Sequence, residues 1–219
     1  MRNPMNAKRH YSFLDRLCLG VDQAVRALTN NTKTTGLACP ANKMEEIPLS
    51  KEQREKSAAL MRINHAGEIC AQALYHGQGV VSRSREVQEK MHRAAMEEGD
   101  HLTWCRQRLD ELGSHPSYLN PLWYAGSFCI GMVAGMIGDK WSLGFVAETE
   151  RQVIKHLKGH LHSLPADDVR SYKILEQMET DEAKHRDEAI ALGARELPGI
   201  IKKTMSFTSK VMVKTAYWV

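Results

Sequence analysis

The chain has 219 residues, 42% of them hydrophobic and 26% charged, enough for one folded core plus an appendage and too apolar for global disorder. A net charge of +4 without arginine-rich or aromatic clustering makes no case for a nucleic-acid partner. Five scattered cysteines (Cys18, Cys39, Cys70, Cys105, Cys129) include no C-x-x-C pair, which argues against a disulfide framework or a zinc ribbon and suits a reduced, cytosol-facing protein.

The N-terminal stretch MRNPMNAKRHYSFLDRL is charged and lacks a continuous apolar run, so it does not read as a secretory signal. Helical spacing dominates the rest of the chain, and no alternating β-branched run is long enough to propose a sheet. A short helix is predicted over about 11–28, then a linker rich in Asn, Thr, Gly and Pro over 29–48. Ser50 opens a long helix with the capping-box pattern SKEQ, running to about Gly77. A second long helix spans about 84–112. A third runs from about Pro121 to His162, a fourth from Ala166 to Leu192, and a last one covers about 199–217. The expected organisation is an N-terminal helix and linker, 1–47, followed by an all-α bundle, 48–219.

Residues three and four apart share a helix face, and this rule separates the acids. Met91, Ala94, Glu98, His101, Cys105 and Leu109 form one face of the second long helix, apolar except for its Glu and His. The neighbouring face, Lys90, Arg93, Glu97, Asp100 and Trp104, reads as solvated. The fourth helix repeats the pattern with Leu175, Met178, Glu182, His185, Ala189 and Leu192. On the third helix, Glu150 is the one carboxylate on Leu143, Val146, Val153 and Leu157. Glu148 shares its face with Arg151, Gln152 and Lys155 and is the weaker candidate. On the first long helix, Met61, Asn64, Glu68, Ala71 and Tyr75 place Glu68 inward.

Ionised carboxylates rarely enter a core unpaired, so a cation is expected among these helices. Glu68 is followed after thirty residues by Glu98-x-x-His101, and Glu150 after thirty-two by Glu182-x-x-His185. One Glu from each of two helices and Glu-x-x-His from each of two others is the ligand set of ferritin-like di-iron carboxylate bundles. Four carboxylates balance two ferrous ions, and imidazole with carboxylate suits iron. Around this set, His65 reads as either a supporting partner of Glu68 or a structural residue. Tyr75 and Trp104 read as packing or site-lining residues, and Cys70 and Cys105 as small core fillers. His156, His160 and His162 read as surface residues.

The uncharged segment 122–138, LWYAGSFCIGMVAGMIG, is seventeen residues long, short for a spanning helix. It is expected to be an interfacial helix or a small-residue packing surface. The C-terminal stretch sets Lys202, Lys203, Lys210 and Lys214 among Ile, Met, Val, Tyr and Trp, the composition of a peripheral membrane helix. Together they suggest an apolar substrate taken from the bilayer.

Over about residues 48–219 the chain resembles the Coq7 family of demethoxyubiquinone hydroxylases, in its bacterial form. The resemblance lies in MRINHAGEICAQALYHGQ, EEGDHLTWC, PLWYAGSFCIGMVAGMIGDKWSLGFVAETERQV and DEAKHRDEAIALGARELP. It implies a ferritin-like bundle with two Fe ions. Glu68, Glu98 and His101 would serve one iron, and Glu150, Glu182 and His185 the other, with Glu98 and Glu182 bridging. The implied reaction is hydroxylation of a polyprenyl benzoquinol by O2, late in ubiquinone biosynthesis, fed by an electron donor. The implied location is the cytoplasmic side of the cell membrane, with the lipid surface as a partner. A homo-oligomer or association with other ubiquinone-biosynthesis proteins stays open. The competing readings are another ferritin-like di-iron protein, a ferroxidase or a peroxidase, and a non-catalytic helical scaffold whose acids are merely paired.

Overall fold

The Ser50 hydroxyl accepts from Gln53 N at 3.2 Å while Gln53 Oε1 accepts from Ser50 N at 2.8 Å. The predicted capping box thereby closes two of the orphan amides that every helix start leaves open. The structure, a computed structural model, describes residues 13–219. The start of the predicted first helix at 11–12 and the charged stretch before it lie outside the described residues.

The elements are α1 (Phe13–Leu28), a 3-10 turn (Pro40–Lys43), α2 (Lys51–Val81), α3 (Arg85–Glu111), α4 (Asn120–Ile137), α5 (Asp139–Ser163), α6 (Val169–Ala191) and α7 (Gly199–Trp218). All regular structure among the described residues is helical, in a ferritin-like bundle. α2, α3, α6 and α5 surround the core, each antiparallel to the next. Tyr75 meets Glu150 and Asn64 meets His160 between α2 and α5, while His101 meets Asp181 and Arg108 meets Ser171 between α3 and α6. The long crossover that such folds use is α4.

The single helix predicted over 121–162 is instead two helices, because Gly138 takes φ 137° and ψ 158°, a backbone region that side chains disfavour. The chain reverses there. The corner is tied to the α2–α3 turn by Asp139, whose carboxylate accepts from Ser84 N at 3.1 Å and from the Ser82 hydroxyl at 3.3 Å.

α4 runs parallel to α2 along a glycine seam, Gly131 against Leu74 and Gly135 against Gln78 and Val81. A Cβ built on Gly77 or Gly131 would lie under 3.0 Å from the carbonyl of Phe128 or Leu74. The opposite face of α4 leaves Leu122, Ile130, Val133, Met136 and Ile137 exposed. Small-residue packing is therefore what the 122–138 segment does on one side. No helix among the described residues is long and apolar enough to cross a membrane.

The predicted linker is a strap over α3. Thr35 N and Gly36 N donate to the Asp100 carboxylate at 3.1 and 3.2 Å, joined by the Thr35 hydroxyl. Trp104 Nε1 donates to Leu37 O at 3.2 Å, and the Lys33 carbonyl crosses directly over Gly99. Asp100 and Trp104, placed on a solvated face by periodicity, are consequently buried. Further along, buried Arg108 binds Glu46 and Asp168, fastening the strap to the foot of the bundle.

Candidate metal centre

Two apolar layers close the bundle above and below a polar middle. Met61, Cys105, Leu157, Leu175 and Met178 form part of one, and Met91, Leu143, Val146 and Ala189 part of the other. Between them lie Glu68, Glu98, His101, Glu150, Glu182 and His185, each 0–3% exposed. The inward assignment made from helical spacing places all six there.

The two Glu-x-x-His motifs interlock. His101 Nδ1 is 3.3 Å from Glu98 Oε2 and 3.2 Å from Glu182 Oε1. His185 Nδ1 is 3.2 Å from Glu182 Oε2 and 3.2 Å from Glu98 Oε1. Glu98 and Glu182 thus each span both imidazoles. Glu68 approaches from the side of His101, at 3.8 Å. Glu150 accepts a hydrogen bond from the Tyr75 hydroxyl on one oxygen, and its Oε2 has no partner. Ligand atoms of Glu68, Glu98, His101 and Glu182 fall within 4.8 Å of one another, close enough to share one metal ion.

Each imidazole turns Nδ1 toward the carboxylates and Nε2 toward an acid from the opposite motif. His101 Nε2 is 3.1 Å from Asp181 of α6, and His185 Nε2 hydrogen-bonds Glu97 of α3. An Nε2–H held by an outer acid leaves the Nδ1 lone pair free for a metal. Sequence reasoning missed both acids. Helical spacing puts Glu97 on a solvated face, yet that face looks at α6. The available signal was the doubled acid, Glu97-Glu98 and Asp181-Glu182, one residue before each motif. Glu97→Ala and Asp181→Ala are each expected to weaken metal affinity roughly 10–100-fold without removing a ligand. Chelator competition on the purified variants checks this.

The remaining sequence assignments divide. Glu148 is buried rather than solvated, but it turns from the centre and accepts from Arg151 Nε and Gln152 Nε2, both at 2.8 Å. His65 is structural: its Nδ1 lies 3.3 Å from Asn120 Nδ2, and burial lowers its pKa to about 3. Trp104 packs against His101, ring centroids 5.2 Å apart. His162 is exposed, as expected, whereas His156 is half-buried and His160 buried. Of the tail lysines, Lys203, Lys210 and Lys214 are exposed, while half-buried Lys202 pairs with Glu196 at 2.9 Å.

The electrostatics suit a divalent cation. Burial pushes the Glu68 carboxyl well above the usual range, with Glu98 adding to it, and does the same to Glu150 with Glu182 and Glu98 adding. Burial also acts on Glu98, but the two neighbouring imidazoles outweigh it and hold that carboxyl low. Burial opposes charge on His101 and His185, yet the surrounding acids raise both far above the ordinary histidine value. The crowding that drives Glu68, Glu150 and both imidazoles toward their protonated forms is what a bound divalent cation would relieve. Donor set, burial, the partnerless Glu150 oxygen and this crowding all suit hard or borderline divalent ions.

Glu68 also lines a cavity of about 390 Å3 between α2, α4, α5 and α7, within the range of small-molecule sites. Its walls include Ile63, Leu74, Ile130, Phe145, Met205 and Met212. The inward side of α7 closes it, and His156 and His160 line it instead of facing solvent.

A family model described as "Ubiquinone biosynthesis protein COQ7" matches residues 55–216. A protein of Nitrosococcus oceani named 3-demethoxyubiquinol 3-hydroxylase is 53% identical over 211 residues, 96% of this chain and 99% of that protein. Proteins of the same name from Nitrosomonas eutropha and Acinetobacter baylyi are each 52% identical, covering 94% and 96% of this chain and 99% and 100% of their own lengths. With the buried carboxylate–imidazole centre and the helical bundle already in place, near-full-length identity of this order means that the chain belongs to the family of ubiquinone biosynthesis protein COQ7.

Proposed function

We propose that the chain is a di-iron monooxygenase that uses O2 to hydroxylate a polyprenylated methoxy-methyl-benzoquinol, the demethoxyubiquinol named for its relatives. The observation that carries this reading is the position of Glu68, which belongs both to the buried acid–imidazole centre and to the wall of an apolar cavity. Glu68, Glu98 and His101 would hold one iron, and Glu150, Glu182 and His185 the other, with Glu98 and Glu182 shared between them. A bound iron pair supplies O2 activation.

The chain's own residues do the rest. Glu97 and Asp181 fix the imidazoles, and Tyr75 fixes Glu150. The apolar layers exclude water from the centre, and the cavity walls hold an oily ring and the start of its tail. That cavity favours a quinol hydroxylase over a ferroxidase, whose ion substrate would need a polar route.

The direct test is quinone profiling in cells lacking the protein, where the demethoxy intermediate should accumulate. Restoration by the wild-type chain and not by one lacking the centre completes the test. An unchanged quinone profile would overturn the reading.

We further infer peripheral attachment to the cytoplasmic face of the membrane. The outward side of α7 presents Phe207, Val211 and Trp218 among Lys203, Lys210 and Lys214, and α4 carries an exposed apolar face of its own. Each such lysine near an anionic leaflet contributes about 1 kcal/mol. Replacing Lys203, Lys210 and Lys214 by Glu is expected to weaken co-sedimentation with anionic vesicles at least about tenfold. Turnover of long-chain quinols should fall far more than turnover of a short-chain analogue. Equal losses on both substrates would contradict docking through α7.

A further inference from the structure

The six side chains of the centre are each 0–3% exposed, so a metal ion has to cross the protein to reach them. Most of their surroundings oppose an ion. Apolar layers close the centre above and below, Glu68 lines an apolar cavity, and Glu150 meets the buried Tyr75. A divalent ion gives up its water only where polar groups replace it.

The seam between α3 and α6 offers such groups. Four polar pairs cross it: Lys90 with Glu188, Glu97 with His185, His101 with Asp181, and Arg108 with Ser171. The side chains of Glu97 and Asp181 are 27% and 26% exposed, against 2% for the imidazoles they hold. A single carboxylate therefore links solvent to the outer nitrogen of each ring. From Asp181 Oδ2 the polar path runs 3.1 Å to His101 Nε2, through the ring to Nδ1, and 3.2–3.3 Å onward to Glu182 and Glu98. The path through Glu97 and His185 mirrors it, reaching Glu98 and Glu182 at 3.2 Å. Packing beside it is incomplete: a void of about 10 Å3, room for one water, is lined by His185, Tyr75 and Lys90 among apolar neighbours. Lys90 and Lys184 both turn to Glu188, leaving the middle of the seam to the two acids.

We propose that the α3–α6 seam is the port through which divalent metal enters the centre, with Glu97 and Asp181 capturing the hydrated ion and passing it to His185 and His101. Paired carboxylates at a cleft raise the local concentration of cations and their rate of arrival. An acid already touching the imidazole can exchange that hydrogen bond for a metal contact without the ion crossing apolar surface. The inference rests on the metal-centre reading and gives a second duty to two acids that otherwise only steady the rings. It also separates the traffic: ions arrive between α3 and α6, while the apolar cavity lies on the α2–α5 side.

The test follows uptake of Co2+ by the metal-free full-length chain, read from visible absorption, and its release into excess chelator. In the double variant Glu97→Gln with Asp181→Asn, each amide oxygen still accepts from Nε2 while the charge is gone. Uptake should slow about tenfold or more, release should slow with it, and metal per chain at saturation should be unchanged. Glu179→Gln is the control. It removes the same charge from α6 on the side of Lys158, its partner on α5 at 3.4 Å, and should leave uptake within about twofold of the wild type. Raising ionic strength from about 0.01 M to about 1 M cuts the screening length from about 30 Å to about 3 Å. That change should slow the wild type and barely affect the double variant. The single variants, expected between wild type and double, serve if the double fails to fold. Variant uptake within about twofold of the wild type overturns the port whatever happens to release, and so does equal slowing in Glu179→Gln. Either result leaves the metal-centre reading standing. A wild-type chain that takes up no Co2+ overturns both.

Discussion

Glu98→Ala or Glu182→Ala is expected to reduce bound iron to below one ion per chain after anaerobic loading, and activity to background. The reason is geometric. Each of these carboxylates reaches both imidazoles, at 3.2–3.3 Å, so removing either takes a donor from both halves of the centre. The loss should exceed the roughly 10–100-fold that a supporting residue costs. Glu150→Gln separates metal binding from folding. Without metal the Glu150 carboxyl is driven toward its protonated form by burial and by Glu182 and Glu98, and the amide resembles that neutral form. This variant should therefore melt close to the metal-free wild type while losing metal affinity. Glu148→Ala should keep its iron, because Glu148 is bound to Arg151 and turned away. Iron analysis of the set decides the assignment: loss in Glu148→Ala with retention in Glu150→Gln would exchange their roles.

The second large effect lies far from the chemistry. Gly131→Ala and Gly77→Ala each put a methyl against the facing helix backbone, the Leu74 and Phe128 carbonyls respectively. A helical Gly→Ala change ordinarily gains about 1 kcal/mol, and overpacking costs about 1–3 kcal/mol when side chains can give way. Here the obstacle is main chain, so α2 and α4 must separate along the seam. A net loss of about 2–3 kcal/mol is expected, roughly 5–10 °C in Tm for a chain of this size. Gly126→Ala is the control. It lies on the open side of α4 with nothing within 4 Å of the added carbon, so it should raise Tm slightly. Calorimetry on the three variants separates seam from propensity, and equal shifts in all three would contradict a backbone-limited contact.

Much of the bundle was legible from spacing alone. The 3.6-residue period carried Glu68, Glu98, Glu150 and Glu182 to the inside because each interrupts an apolar stripe. The same period misplaced Glu97, Asp100 and Trp104. Periodicity reports which residues share a face, and it cannot see that one face is covered by a strap about sixty residues away in sequence, or that the next looks onto another helix. Gly138 escaped for a related reason. Gly126, Gly131, Gly135 and Gly138 look alike in the sequence, but only the last adopts a left-handed backbone and ends a helix. His160 sits near a helix end among Lys and His, which reads as surface. Its burial depends on α7 folding back over α5, a long-range event without a local signature.

The crossing of Glu97 to His185 and of Asp181 to His101 also bears on symmetry. The α2–α3 and α5–α6 hairpins each supply the acid that steadies the other's imidazole. One hairpin alone therefore holds an unfinished half. Two identical hairpins meeting across a twofold would complete each other, because an isologous contact makes every such crossing twice. In this chain both halves are covalently joined through α4, so the mutual completion of a dimer is built into a single polypeptide and no longer depends on its concentration.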